Sequence, residues 1–272
     1  MKLELRDELQ EAWAGRDAFD EAASTRGTVY RQMDGRRTLR FQLRGRHYFL
    51  KYHAGVGWRE VLKNLVQLKR PVLGAGVEWR AIEHLHRLGL ATLEAVGYGE
   101  KGWNPAHRRS FLITRELAQT TSLEELVLDW PDHPPSPVLK RAIIARVAGI
   151  ARRMHLGGIN HRDFYVCHLL LDTSVGIAAL RPESIRFYVV DLHRAQIRRR
   201  VPQRWLVKDL ASLYYSMMHA GLTRRDLLRF IRVYSGEPLR TSLSRHRNLW
   251  QQVQRRATGF HWEFFGKPPP GH

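Results

Sequence analysis

The sequence predicts an α+β fold in two lobes: a small, antiparallel, β-rich N-terminal lobe and a mainly helical C-terminal one. Three observations point there. Between Gly27 and Tyr52, three short strand-like runs are separated by glycine turns. From Val138 to Met154, apolar residues return every three or four positions, the period of a half-buried helix. That helix leads into the loop Gly158-Ile159-Asn160-His161-Arg162-Asp163-Phe164-Tyr165-Val166-Cys167-His168 and the strand Leu169-Leu170-Leu171-Asp172. A second strand, Phe187-Tyr188-Val189-Val190, then delivers Asp191.

Composition bounds the class. The chain has 272 residues, 43% of them apolar, enough to bury a core in one large or two small lobes. No apolar run reaches the roughly 20 residues of a membrane span. The charged start, Met1 to Glu8, lacks the pattern of a secretory signal. A single cysteine, Cys167, excludes an internal disulfide and fits a reducing cytosol. Lys and Arg exceed Asp and Glu by 45 to 26, a formal charge of +19, which favours polyanionic partners.

Taken in order, residues 1 to 23 predict a short leading helix anchored by Leu9, Trp13 and Phe19. Strands follow over 27–33, 37–43 and 46–52, turned at Asp34-Gly35 and Arg44-Gly45, because glycine accepts positive φ. A helix is expected over 58–69, ended by Arg70-Pro71, and another over 76–88, stopped by Gly89. Two strands, Val96 to Glu100 and Ser110 to Thr114, flank a turn at Asn104-Pro105, and Thr121-Ser122 opens a helix with a capping box. After Asp191 come a basic run from Arg194 to Arg204, a helix over 206–219, and another from Thr223. The N-lobe is assigned to 1–117 and the C-lobe to 118–272, with the catalytic loop at 158–172.

The order helix, His-Arg-Asp loop, strand, strand, Asp is that of a protein-kinase-like fold. Asp163 is the candidate that orients the acceptor hydroxyl and takes its proton, with His161 and Arg162 beside it in the loop. Asp191 is the candidate metal ligand. His168 stands where the kinase pattern carries a metal-binding Asn, and is a second, chemically poorer candidate for Mg²⁺. Lys51, among aromatic residues at the end of its strand, is expected on the ATP phosphates. Glu78 or Glu83 should pair with it, and the helix start favours Glu78. The glycine-rich phosphate cover is absent, so Gly35 with Arg36 and Arg37 stands in for it; a solvated hairpin is the alternative. Glu116 and Leu117 are candidates for adenine, and Asp209 for a structural tie to the catalytic loop.

Asp209 follows Asp191 by only 18 positions, without Ala-Pro-Glu, so no peptide platform is expected and a small or exposed hydroxyl fits better. The basic run in its place suits an acceptor that is already anionic.

The loop from Gly158 to Tyr165 with Cys167-His168 resembles the catalytic loop of the lipopolysaccharide core heptose kinase family. So do Tyr48-Phe49-Leu50-Lys51-Tyr52-His53, Val77-Glu78-Trp79-Arg80-Ala81-Ile82 and Val190-Asp191-Leu192-His193-Arg194-Ala195. The resemblance implies an ATP- and Mg²⁺-dependent kinase of an inner-core heptose, most often the first, at the cytosolic face of the inner membrane. It places ATP contact on Lys51, the ion pair on Glu78, the base on Asp163 and the metal on Asp191. It also implies acyl carrier protein as an acidic partner, for which the helix over 58–69, with Arg59, Lys63 and Lys69, is a candidate dock. A kinase for heptose II or Kdo shares this chemistry. A non-catalytic scaffold would not need Lys51, Asp163 and Asp191 together, and no nucleic-acid module is recognised.

Overall fold

The computed structural model describes residues 1–33, 35–55, 74–104 and 108–270. The expected helix over 58–69 with its stop at Arg70-Pro71, and Asp34 and Pro105 of two expected turns, lie outside them. The chain divides into two compact units. One holds Met1–Glu83, Leu93–Ala118 and Leu192–Arg194, the other His84–Thr92, Gln119–Asp191 and Ala195–His272.

The first unit is built on a six-stranded antiparallel sheet. Its strands are β1 (Lys2–Leu5), β2 (Thr28–Met33), β3 (Arg36–Leu43), β4 (Arg46–His53), β5 (Ala95–Lys101) and β6 (Arg109–Arg115), in the order β1-β5-β6-β4-β3-β2. Gly35, at φ 70°, supplies the left-handed residue of the β2–β3 turn.

The start of the chain differs from the single helix expected. Lys2–Leu5 pairs with β5, and the helical part is split into α1 (Asp7–Ala12) and α2 (Ala18–Ser24). The split has a local cause: the Asp17 carboxylate accepts the Phe19 and Asp20 amides, which starts a new helix. Leu9, Trp13 and Phe19 are buried as expected, with the Trp13 and Phe19 rings edge-on to Phe111. β1 is exposed and four residues long, too short for its alternation to register in a sequence.

Helix α3 (Gly76–Arg87) begins in the first unit and ends in the second. Residues 84–92 join the second unit through backbone ties. His84 Nε2 meets the Gly157 carbonyl at 2.6 Å, the Thr92 hydroxyl donates to Val189 O at 2.5 Å, and the Val189 amide donates to Ala91 O at 2.9 Å.

In the second unit, β7 (Thr120–Ser122), β9 (Leu169–Asp172) and β10 (Phe187–Val189) form one small sheet, and β8 (Ile159–Asn160) pairs with β11 (Gln196–Ile197). Its helices are α4 (Leu123–Val127), α5 (Pro137–Leu156), α6 (Gln203–Tyr215), α7 (Arg224–Ser235), α8 (Leu239–Arg245) and α9 (Arg247–Phe265). The Ser122–Glu125 capping box starts α4. Ser136 caps α5 ahead of Pro137, and the helix buries Ile143, Val147, Ile150 and Met154. Gly158, at φ 78°, turns the chain out of α5 so close to the Arg198 carbonyl that a Cβ would collide with it.

The expected helix over 206–219 begins three residues earlier and ends four earlier. Sequence reading did not assign α8 and α9. The buried face of α9 is carried by Val253, Ala257 and His261, which make a faint apolar stripe.

Candidate active site

Lys51 lies on β4 between β3 and β6, in register with Thr38 and Leu112. A strand with neighbours on both sides holds its side chains in fixed directions. Glu78, in the first turn of α3, meets it: Lys51 Nζ lies 2.7 Å from Oε1 and 2.9 Å from Oε2. Glu78 is 3% exposed and Lys51 29%, so the carboxylate is the more desolvated partner. Glu83 pairs with Arg6 instead, at 3.2 Å. At the end of the same strand, burial pushes the His53 imidazole down to about 4, helped by the charges of Arg36, Lys51 and His193.

The other residues expected near ATP in this unit have mixed fates. Arg37 donates to the carbonyls of Ala22, Ala23 and Thr25, so its charge serves the C-terminus of α2. Arg36 lies half-buried in β3, facing His53 across the ladder. Glu116 makes a two-point ion pair with Arg40, at 2.8 and 2.9 Å, and its amide donates to His47 O at 3.0 Å. That amide is committed to the sheet, which removes it as a donor to adenine. Leu117 is half-buried in the irregular segment that follows.

In the second unit the loop after β8 is held from α6. Asp209 is fully buried, and its carboxylate accepts the His161 amide at 2.7 Å and the Arg162 amide at 2.8 Å. His155 approaches the same carboxylate at 3.4 Å and meets the Tyr234 hydroxyl at 2.9 Å. Sequence reading anticipated Asp209 but not His155 or Tyr234, which reach it from α5 and α7. Arg162 has φ 75°, a left-handed conformation that is rare outside glycine. Its guanidinium lies over the Trp205 ring at 4.9 Å.

His161 has no exposed surface, and its imidazole lies 2.9 Å from the Val190 carbonyl. Burial pushes its pKa down against the pull of Asp209 and Val190, favouring the neutral ring. A group with no exposed surface cannot meet an acceptor, so His161 braces the loop against the strand that leads to Asp191. Asp163 is accessible, 15% exposed.

His168 lies against both Asp163 and Asp191. Its Nδ1 contacts the Asp163 carbonyl at 2.7 Å, and Nε2 lies 3.3 Å from Asp191 Oδ2. Burial lowers its pKa, but hydrogen bonds to Cys167 and the Asp163 carbonyl, with the charges of Cys167 and Asp191, outweigh that and push it up to about 9. Both ring nitrogens of His168 are therefore engaged, one with the Asp163 carbonyl and one beside the Asp191 carboxylate. Asp191, at φ 62°, is an accessible hard oxygen donor that suits Mg²⁺. Among the described residues no cluster of three or more His, Cys, Asp or Glu could hold a metal.

The basic run is used in part within the fold. Gln196 and Ile197 pair with β8, and Arg198 donates to Asn160 Oδ1 at 2.6 Å. Arg162, Arg198 and Arg204 lie over one indole, that of Trp205, at 4.9, 6.0 and 5.4 Å.

The model of the lipopolysaccharide kinase (Kdo/WaaP) family matches residues 20–234. A Pseudomonas aeruginosa protein named lipopolysaccharide core heptose(I) kinase WaaP is 49% identical over 257 residues, 94% of this chain and 95% of that one. A protein of the same name from Escherichia coli K12 is 49% identical over 255 residues, again covering 94% and 95%. A solved structure described as WaaP in complex with acyl carrier protein matches with a TM-score of 0.84 at 44% identity, covering 96% of this chain and 100% of that one. The expected kinase-like α+β architecture is therefore the fold of this chain.

Proposed function

This chain belongs to the lipopolysaccharide kinase (Kdo/WaaP) family, and on that premise we propose that it transfers the γ-phosphoryl group of ATP to a hydroxyl of heptose I in the lipopolysaccharide core. The observation that carries the sugar assignment is its 49% identity, over 94% of its length, to two heptose(I) kinases.

Each residue then has a role set by its chemistry. Lys51, oriented by Glu78, neutralises charge on the ATP phosphates. Asp191 holds Mg²⁺, which when bound screens the phosphate oxygens. Asp163 orients the acceptor hydroxyl and takes its proton as the oxygen attacks phosphorus. His161 and Asp209 keep that carboxylate in place. ATP and a membrane-borne acceptor meet at the cytosolic face of the inner membrane. Among the described residues no helix is long and apolar enough to cross a membrane, which fits peripheral contact.

Acyl carrier protein, the partner in the solved WaaP complex, is a fitting partner for a chain of charge +19. The family description also names Kdo, so a different core sugar is the second reading.

The test is phosphate transfer from ATP and Mg²⁺ to core lipopolysaccharide stripped of its phosphates, with the product mapped by mass spectrometry. Phosphate on heptose I with wild type, and at least about a hundredfold less with Asp163→Ala, is the expected result. Phosphate on heptose II or Kdo would move the assignment to that sugar, and an unchanged rate in the variant would remove Asp163 from its role.

A further inference from the structure

The carboxylate assigned to the acceptor proton has a cation beside it from outside its loop. Lys208, on α6, places its ammonium 3.3 Å from Asp163 Oδ1 and donates also to the Arg162 carbonyl. Lys208 is 16% exposed and Asp163 15%, so water screens the pair less than it would at an open surface.

Lys208 does not act on the loop alone. Its neighbour Asp209 takes the His161 and Arg162 amides, and Trp205, one helical turn earlier, carries the Arg162 guanidinium. One short stretch of α6 therefore grips the loop by a ring, an ammonium and a carboxylate. Between those grips sits Arg162 with its left-handed φ of 75°. Such a conformation is strained for a residue with a side chain and persists where surrounding contacts over-determine it.

We propose that Lys208 is a positioning residue for phosphotransfer. It fixes the orientation of the Asp163 carboxylate through Oδ1, so that the acceptor hydroxyl meets one geometry instead of several. Asp209 sets the loop backbone; Lys208 sets the functional side chain. The inference rests on the reading of Asp163 given above.

The experiment compares wild type, K208M, K208R, D163N and the K208M/D163N double variant as full chains. ADP release from ATP and Mg²⁺ is followed with phosphate-free core lipopolysaccharide and, separately, with water as the acceptor, beside thermal unfolding of each protein. K208M is expected to lower kcat about 30- to 100-fold, the scale of a small misplacement of a catalytic group, with KM for ATP within about threefold. K208R should recover to within about tenfold of wild type. In the D163N background, K208M should cost no more than about twofold, because both changes act on one carboxylate. A K208M kcat within about threefold of wild type would overturn the proposal, as would its full loss repeated on top of D163N, or a loss that merely tracks unfolded protein. Asp163-dependent ADP release without phosphoheptose would sink the sugar assignment and leave the Lys208 comparison standing. No ADP with either acceptor would overturn both.

Discussion

The Lys51–Glu78 pair and the Asp163 loop are held by opposite means. Lys51 sits on a strand paired on both sides and Glu78 in the first turn of a helix, so regular elements aim both side chains. The loop around Asp163 has little regular structure of its own. Arg162 and, after β10, Asp191 adopt left-handed φ values of 75° and 62°, and distant side chains keep the loop in shape. The difference teaches where each arrangement is vulnerable. A pair set by register is sensitive to its own two residues, whereas a tethered loop is sensitive to residues more than forty positions away.

Asp209→Ala attacks the tether and should have the largest effect. It strips two buried amides of their acceptor and takes the partner from His155, so about 3–5 kcal/mol of stability should go. Phosphotransfer should fall at least about a hundredfold in whatever protein remains folded. Urea unfolding and single-turnover kinetics measure both. A variant that keeps full activity would mean the loop holds itself.

Next in size is a contrast within the Lys51–Glu78 pair. Lys51→Met leaves a carboxylate that is 3% exposed without its cation, whereas Glu78→Gln leaves an ammonium on a side chain that is 29% exposed and can turn to water. Lys51→Met should therefore cost about 2–3 kcal/mol and Glu78→Gln about 1 kcal/mol or less, read from denaturant midpoints. Equal losses would mean that burial does not distinguish the partners. Both variants should lose activity, since the ATP phosphates would meet a missing or misaimed cation.

The smallest expected effect is on acid stability, in the same strand. With a folded pKa of about 4 against an ordinary 6.5, His53 is neutral when folded and binds a proton more readily when unfolded. Its contribution is complete above pH 6.5 and is lost as pH falls towards 4, about 1 kcal/mol of it by pH 5.5. Urea midpoints at pH 7.5 and 5.5 should converge in His53→Leu relative to wild type. An unchanged gap would place the acid sensitivity elsewhere.

How much of this was legible in the sequence follows from the same contrast. β2, β3, β4, α3 and α5 announce themselves through alternation, glycine turns and helical period, and Lys51 and Glu78 can be located by counting along them. The split of the first helix was also visible in principle, in Asp17 before Phe19 and Asp20, but the short run between Asp7 and Ser24 disguised it. In the sequence, Arg37 is a candidate for the phosphate cover and Glu116 for adenine. Folded, Arg37 ends a helix and Glu116 pairs with Arg40, choices that depend on which neighbours the sheet brings near.

By itself, then, the sequence determined what depends on local chemistry and spacing: the two-part α+β architecture, the His161-Arg162-Asp163 loop between helix and strand, Asp191 at a strand end, and enough family resemblance to place the chain among sugar kinases. Tertiary structure alone decided which groups those residues meet. It set His168 between the Asp163 carbonyl and Asp191, buried His161 against the Val190 carbonyl, and set Lys208 and Trp205 against the loop. The physical reason is that backbone propensity and periodicity act over a few residues, while burial and ion pairing depend on contacts between positions far apart in the chain, such as Asp163 and Lys208, whose separation is 45.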